Sequence, residues 1–197
     1  MLITFEGTEG CGKSTLIQNL SRELTRLKIP HVLTREPGGT PVAESIRNLI
    51  LNQEMDPLTE LFLYQAARAE HLKTIILPAL SNKKWVLCDR YTDSTLAYQG
   101  FARKLDLKMI EQLNRIATDA TRPDLTFFLD LPVEIGLARA TDRNKFEKAG
   151  IEFQKKVRRG FLYSIRKTPK RFRVLKVLNL NPEQVCAKAL KALKPYL

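Results

Sequence analysis

The chain has 197 residues, 44% of them hydrophobic and 27% charged, a balance that excludes a disordered polymer and fits one ordinary domain, 1–197, with a sizeable core. No apolar run approaches the roughly 20 residues of a membrane span, and no basic-then-apolar leader precedes the first strand, so a cytoplasmic protein with no membrane partner is expected. Cys11, Cys88 and Cys186 are scattered without C-x-x-C spacing, and His31 and His71 stand alone, which argues against a disulfide framework or a zinc site.

Leu2 to Glu6 is apolar enough to be covered on both faces, as a central strand of a parallel sheet is. It runs into Gly7-Thr8-Glu9-Gly10-Cys11-Gly12-Lys13-Ser14, which is G-x-x-x-x-G-K-[ST] placed between a strand and a helical pattern. The glycines let consecutive backbone N–H groups turn toward a polyphosphate, and the next helix adds its positive end. Gly7 to Ser14, with Thr15, are therefore the expected ATP cradle. Lys13 would bridge the β- and γ-phosphates and Ser14 would hold Mg²⁺. Cys11 reads either as a reactive thiol beside a helix terminus or as a small residue filling a tight loop, and the second is preferred.

Leu16, Leu20, Leu24 and Leu27 recur at helical spacing and give the next helix its core stripe, which Pro30 stops. His31 to Thr34 reads as a second strand. It ends in Arg35-Glu36-Pro37-Gly38-Gly39-Thr40-Pro41, a turn-rich loop suited to a cis-proline, with charges where a site is commoner than packing. Helices are predicted from about Pro41 to Leu51 and from Asp56-Pro57 to about Ala79, the second placing Tyr64 and Arg68 on one face. Trp85 to Cys88 is a third strand that delivers Asp89-Arg90-Tyr91 to the carboxyl edge, where open α/β sheets bind ligands. Asp89 is the best acidic partner for the metal.

Thr92 to Gln99 and Leu107 to Thr118 read as helices, and Leu125 to Asp130 as a fourth strand. After a helix from Val133 to Arg139 comes a polar, weakly periodic stretch, a short candidate lid at about 140–150. Phe153, Val157, Phe161 and Ile165 then form a helical stripe ended by Pro169, Val174 to Leu178 a fifth strand, and Asn181-Pro182 the start of a last helix. The net charge of +12 is concentrated here: thirteen Lys or Arg against two Glu lie between Arg143 and Lys176. No nucleic-acid motif accompanies the run, so a solvated helix face or a cationic wall toward ATP is preferred to a nucleic-acid surface. Strands alternating with helices predict an α/β fold in three layers, a parallel sheet covered on both faces.

Phe5-Glu6-Gly7, Glu9 in the phosphate loop, Arg35-Glu36-Pro37-Gly38-Gly39-Thr40, Ala66-Ala67-Arg68, Asp89-Arg90-Tyr91 and Ala97-Tyr98-Gln99-Gly100, in this order and spacing, resemble bacterial thymidylate kinases over nearly the whole chain. The resemblance implies a P-loop nucleoside monophosphate kinase fold with a five-stranded parallel sheet and a closing lid. It also implies a homodimer and phosphoryl transfer from ATP to dTMP, giving ADP and dTDP.

Residue roles follow from the same resemblance. Lys13 and the loop amides would hold the donor phosphates, and Ser14 with Asp89 the metal. Arg90 would bind the acceptor phosphate. Tyr64 matches a position whose ring stacks on thymine, Arg68 one that donates to a thymine carbonyl, and Thr95 one that faces the base. Glu9 and Tyr98 match positions around the deoxyribose, although the residues alone read Tyr64 and Tyr98 as core packing. Glu36, Pro37, Ser94 and Gln99 complete the expected dTMP contacts. An acidic Glu9 with Arg139 and Arg143 resembles members whose catalytic arginines lie in the lid, so the expected catalytic set is Lys13, Arg90, Arg139 and Arg143, with Arg143 or Lys145 over the transferring phosphoryl.

Three features depart from the family pattern: the lid is shorter than usual, Lys145 stands where a second lid arginine is expected, and Asn179-Leu180-Asn181 replaces an Asp-Ala-Ser-like loop. A kinase for another nucleoside monophosphate or a deoxynucleoside would share the loop but not the Tyr64, Arg68 and Tyr98 set. A GTPase would need Asn-Lys-x-Asp, and Asn144-Lys145-Phe146-Glu147 fails at its last position. A nucleic-acid-stimulated ATPase is the third alternative.

Overall fold

The computed structural model describes residues 1–139 and 145–197. Strands β1 (Leu2–Glu6), β2 (His31–Arg35), β3 (Trp85–Asp89), β4 (Leu125–Asp130) and β5 (Phe172–Lys176) form a sheet in the order β2-β3-β1-β4-β5. Every pairing is parallel. β1 is buried along its length because it is the central strand, covered from both sides.

Period-two alternation divides the core between the faces. Phe127 joins Phe5, Leu20 and Leu24 under helices α1 (Lys13–Arg26) and α10 (Pro182–Leu193), its ring stacked on Phe5 at 5.5 Å. Phe128 points the other way and packs with Val157 and Phe161 of α9 (Gly150–Lys167). Between the strands run α2 (Pro41–Asn52), α3 (Pro57–His71), α4 (Leu77–Ser81), α5 (Thr92–Thr95), α6 (Leu107–Ala117), α7 (Val133–Arg139) and α8 (Lys145–Lys148). Side-chain caps fix several starts: Thr40 accepts from Ala43 N–H, Asp56 from Leu58 N–H, and Asn181 forms a capping box with Gln184. The Glu36–Pro37 peptide is cis. Among the described residues no helix is long and apolar enough to cross a membrane.

Four elements differ from the sequence reading by more than one residue, each for a local reason. The first helix stops at Arg26: Lys28 takes a φ of 58°, Ile29 N–H donates to Leu24 O, and Leu27 is left 41% exposed, so the core stripe ends at Leu24. The helix expected to about Ala79 contains a π-helical segment, Leu72–Ile76, and resumes as α4. Pro78, which cannot donate and crowds the carbonyl four residues back, follows directly on these wider turns. The helix expected over Thr92 to Gln99 is α5 followed by a second π segment, Leu96–Ala102. β5 begins two residues earlier than expected, because its bounds are set by pairing with β4, from Thr126↔Phe172 to Asp130↔Lys176. Phe172 is buried there, while Leu178, which the hydrophobic run included, is exposed.

α7 packs backbone to backbone on the phosphate loop. A Cβ on Gly10 would lie 1.9 Å from Gly136 O, and one on Gly136 would lie 2.3 Å from Glu9 O. Gly136→Ala gains about 1 kcal/mol of helix propensity. Overpacking against backbone costs about 1–3 kcal/mol. The substitution is therefore expected to lower the melting temperature and displace the loop, and a melt equal to or above wild type would contradict this packing.

Candidate active site

The phosphate loop leaves β1 and turns into α1 at Gly12, whose φ of 92° admits glycine far more readily than any other residue. Among the described residues no side chain caps α1, which leaves its first-turn N–H groups facing outward. Lys13 folds back over the loop, its Nζ donating to Thr8 O at 3.3 Å and Gly7 O at 3.4 Å. Thr15 is exposed in the first turn, and Cys11 is buried. Ser14 Oγ donates to Asp89 Oδ2 at 3.3 Å across the β1–β3 pair. Among the described residues, Asp89 Oδ1 is buried with no hydrogen-bond partner.

Arg90 follows Asp89 in the left-handed region, with φ 68°, and its N–H donates to Phe5 O of the neighbouring strand at 3.0 Å. Its guanidinium is thereby brought over the phosphate loop. Nη2 donates to Glu9 Oε1 at 2.8 Å, and Nη1 to Gly7 O at 3.1 Å and Ser94 Oγ at 3.3 Å. Tyr98 Oη donates to the same Glu9 oxygen at 2.7 Å, and the Arg90 Cζ stands 5.1 Å from the Tyr98 ring centroid. Burial alone would raise the Glu9 carboxyl, but the Arg90 and Lys13 charges and the Tyr98 hydroxyl outweigh it and pull it down to about 2. Burial works against the Arg90 charge, and Glu9, Tyr98, Asp89 and Glu6 together more than offset it.

Beside this pair opens a cavity of about 560 Å³, its mouth included, lined among others by Tyr64, Arg68, Thr95, Tyr98, Arg90 and Glu9. Glu36, Pro37, Ser94 and Gln99 line it as well, so every residue expected at the dTMP site converges here. Arg68, 2% exposed, is fixed from behind: Nε donates to Glu36 Oε2 at 2.7 Å and Nη1 to Asn114 Oδ1 at 2.6 Å. The other Glu36 oxygen meets His71 Nδ1 at 3.0 Å. No hydrogen bond from Arg68 Nη2 is made among the described residues. Gln99 turns its amide to Glu60, with Nε2 to Oε1 at 2.9 Å, and Thr95 Oγ1 is buried without a partner among the described residues.

Of the lid expectations, Arg139 is exposed at the end of α7 and does not line the cavity. Arg143 and the lid stretch 140–144 lie outside the described residues. Lys145 is turned to Glu60. Four lining residues were missed: Arg47, Leu51, Tyr91 and Phe146. Arg47 donates from Nη1 to Pro37 O at 3.0 Å. Its signal was an arginine in step with buried Ala43 and Ile50 on α2. Phe146, buried at 4% exposure, meets the Tyr98 ring edge-on at 5.6 Å. It carried no separate signal, since it sits in a polar stretch.

Beneath Arg90 lies Glu6, fully buried, whose Oε1 accepts Tyr91 N–H at 2.8 Å and whose Oε2 accepts the Ser94 hydroxyl at 2.6 Å. Burial and then the Asp93 charge push it up to about 8, against the Ser94 hydrogen bond, the Arg90 charge and the Tyr91 N–H. A raised carboxyl keeps, in the folded state, a proton that the unfolded chain gives up near pH 4.5. Stability is therefore lost as pH climbs from there to about 8, by an amount on the order of a few kcal/mol. Glu6→Gln, neutral at every pH, is expected to flatten the fall in melting temperature between pH 5 and 8. Parallel wild-type and variant profiles would contradict this.

Comparison with known proteins points to a single family. A family profile described as thymidylate kinase matches residues 5–188. Thymidylate kinase of Geobacter sulfurreducens is 49% identical over 185 residues, covering 88% of this chain and 87% of its own. That of Geotalea uraniireducens is 48% identical over 185 residues, with the same coverage. The crystal structure of thymidylate kinase from Ehrlichia chaffeensis superposes with a TM-score of 0.83 at 38% identity, covering 98% of both chains. Because the match runs from β1 to α10 and takes in the loop, Arg90 and the cavity, the chain belongs to the thymidylate kinase family.

Proposed function

We propose that the cavity receives dTMP and the phosphate loop receives ATP, so that Arg90 stands between the two anions. The reaction is transfer of the γ-phosphoryl group of ATP to dTMP, giving ADP and dTDP. The observation that carries the residue assignment is Arg90 itself, at once bonded to the loop through Glu9 and Gly7 O and exposed to the cavity. Two phosphates drawn together repel, and a guanidinium already charged and oriented at their junction offsets that repulsion without reorganising. Lys13 would leave the loop carbonyls for the donor phosphates. On the acceptor side, Tyr64 would stack on the base, Arg68 Nη2 and Thr95 Oγ1 would find partners on it, and Tyr98 would lie against the sugar. Arg47 adds a second cation near the acceptor phosphate.

Mg²⁺ fits the donor side, since Asp89 Oδ1 is buried without a partner among the described residues and the Ser14 hydroxyl lies on the other oxygen of the same carboxylate. Bound there, the ion would neutralise charge on the β- and γ-phosphates. Arg139, at the end of α7, and Arg143, in a lid at about 140–150 of a single domain 1–197, remain the catalytic arginines of this reading, with Arg143 over the transferring phosphoryl. A homodimer is supported by α2, α3 and α6, which pack side by side and leave Val42, Leu49, Phe62 and Ile116 exposed. Three buried free cysteines support a cytoplasmic location.

Arg90→Lys keeps the charge and loses the fork that spans Glu9 and Gly7. It is expected to lower kcat/KM for dTMP by about 100-fold or more, and activity within about threefold of wild type would reduce Arg90 to a structural ion-pair partner. Tyr98 stands where a 2′-hydroxyl would clash or lose its water unpaired. Tyr98→Ala is therefore expected to cut the preference for dTMP over ribothymidine monophosphate by about tenfold. If it lowers only thermal stability and leaves the ratio of the two kcat/KM values intact, Tyr98 does no more than pack the core.

A further inference from the structure

Lys145 begins α8, next to Phe146, and its side chain is buried against α3. Nζ lies 2.8 Å from Glu60 Oε2 and donates to Gln53 O at 3.2 Å. Glu60 is fully buried and already holds Gln99 through Oε1 at 2.9 Å and Arg103 through Oε2 at 3.3 Å. Phe146 is thus gripped from several sides. Its carbonyl accepts Gln154 Nε2 at 3.0 Å, its ring meets Tyr98 edge-on, and the Arg103 and Lys145 cations stand 5.9 Å and 5.3 Å from its centroid. It also lines the acceptor cavity beside Tyr98 and Gln99.

The geometry points to Lys145 as a positioning residue for the acceptor: by pairing with Glu60 it pins α8 to α3 and seats Phe146 as a wall of the cavity. The inference rests on reading that cavity as the dTMP site. It gives Lys145 a task on the acceptor side, in place of the contact with the transferring phosphoryl that the family resemblance allowed. The same Glu60 carboxylate fixes Gln99, a second lining residue, so one buried acid sets two neighbouring parts of the wall. Its other cation, Arg103, remains when Lys145 is replaced, so the buried charge of Glu60 stays compensated and the variant is expected to fold.

Steady-state kinetics on Lys145→Met and Lys145→Arg, with each substrate varied in turn, test the inference. Loss of the cation is expected to raise KM for dTMP by about tenfold or more while KM for ATP and the melting temperature stay near wild type, and the arginine variant is expected to restore KM for dTMP. A KM for dTMP within about twofold of wild type in Lys145→Met would overturn it, and a fall confined to kcat would return Lys145 to the transferring phosphoryl. Phe146→Ala separates the layers. If it raises KM for dTMP and Lys145→Met does not, the cavity is the acceptor site and the pinning is wrong. If neither variant moves KM for dTMP and ITC finds dTMP binding to Phe146→Ala and wild type alike, the cavity assignment itself fails.

Discussion

The pair between Glu9 and Arg90 is the interaction on which the site depends. Glu9 belongs to the loop that follows β1 and Arg90 to the turn that follows β3, and these strands are neighbours in register, Phe5 opposite Asp89. Parallel pairing therefore brings both carboxyl ends to one place, and the pair joins the phosphate loop to the cavity there. Arg90 needs a φ of 68° to reach it, a conformation that costs a non-glycine residue energy and is held by Glu6 from below and Glu9 from above. With its carboxyl near 2, Glu9 is ionised throughout the physiological range and keeps the guanidinium in place before any substrate arrives.

What could be read from the sequence was what depends on short-range order. The phosphate loop announces itself because its amides, glycines, lysine and serine act together within eight residues, and Asp56-Pro57 and Asn181-Pro182 marked the starts of α3 and α10. Tyr98 required the family pattern, and the structure shows it both packed in the core and on the cavity wall. It is 5% exposed and packs with Phe146 and Phe161, yet it lines the cavity and donates to Glu9. The π segments, the two-residue offset of β5 and the Lys145–Glu60 and Arg47–Pro37 contacts were illegible. Each is decided by a partner distant in sequence or by how a helix meets its neighbours, which periodicity does not encode.

The basic run between Arg143 and Lys176 takes a different meaning once its partners are known. Arg158 pairs with Asp130, Lys155 with Glu134 and Glu152, Lys167 with Glu111, Arg171 with Asp93, and Lys145 with Glu60. Most of those acids come from elsewhere in the chain, so a local count of charge overstated the field of this surface. The exposed pairs contribute little to stability, whereas those ending on buried Asp93 and Glu60 tie the turn before β5 and α8 to the body of the fold.

The central claim is that one chain presents ATP and dTMP to each other across Arg90. It is tested most directly by measuring ADP release with Mg²⁺ and ATP across a panel of nucleoside monophosphates, with product identity checked by chromatography. The account predicts that dTMP gives the highest kcat/KM and that dTDP appears in step with ADP. A higher value for another nucleoside monophosphate, or ADP released without dTDP, would contradict it.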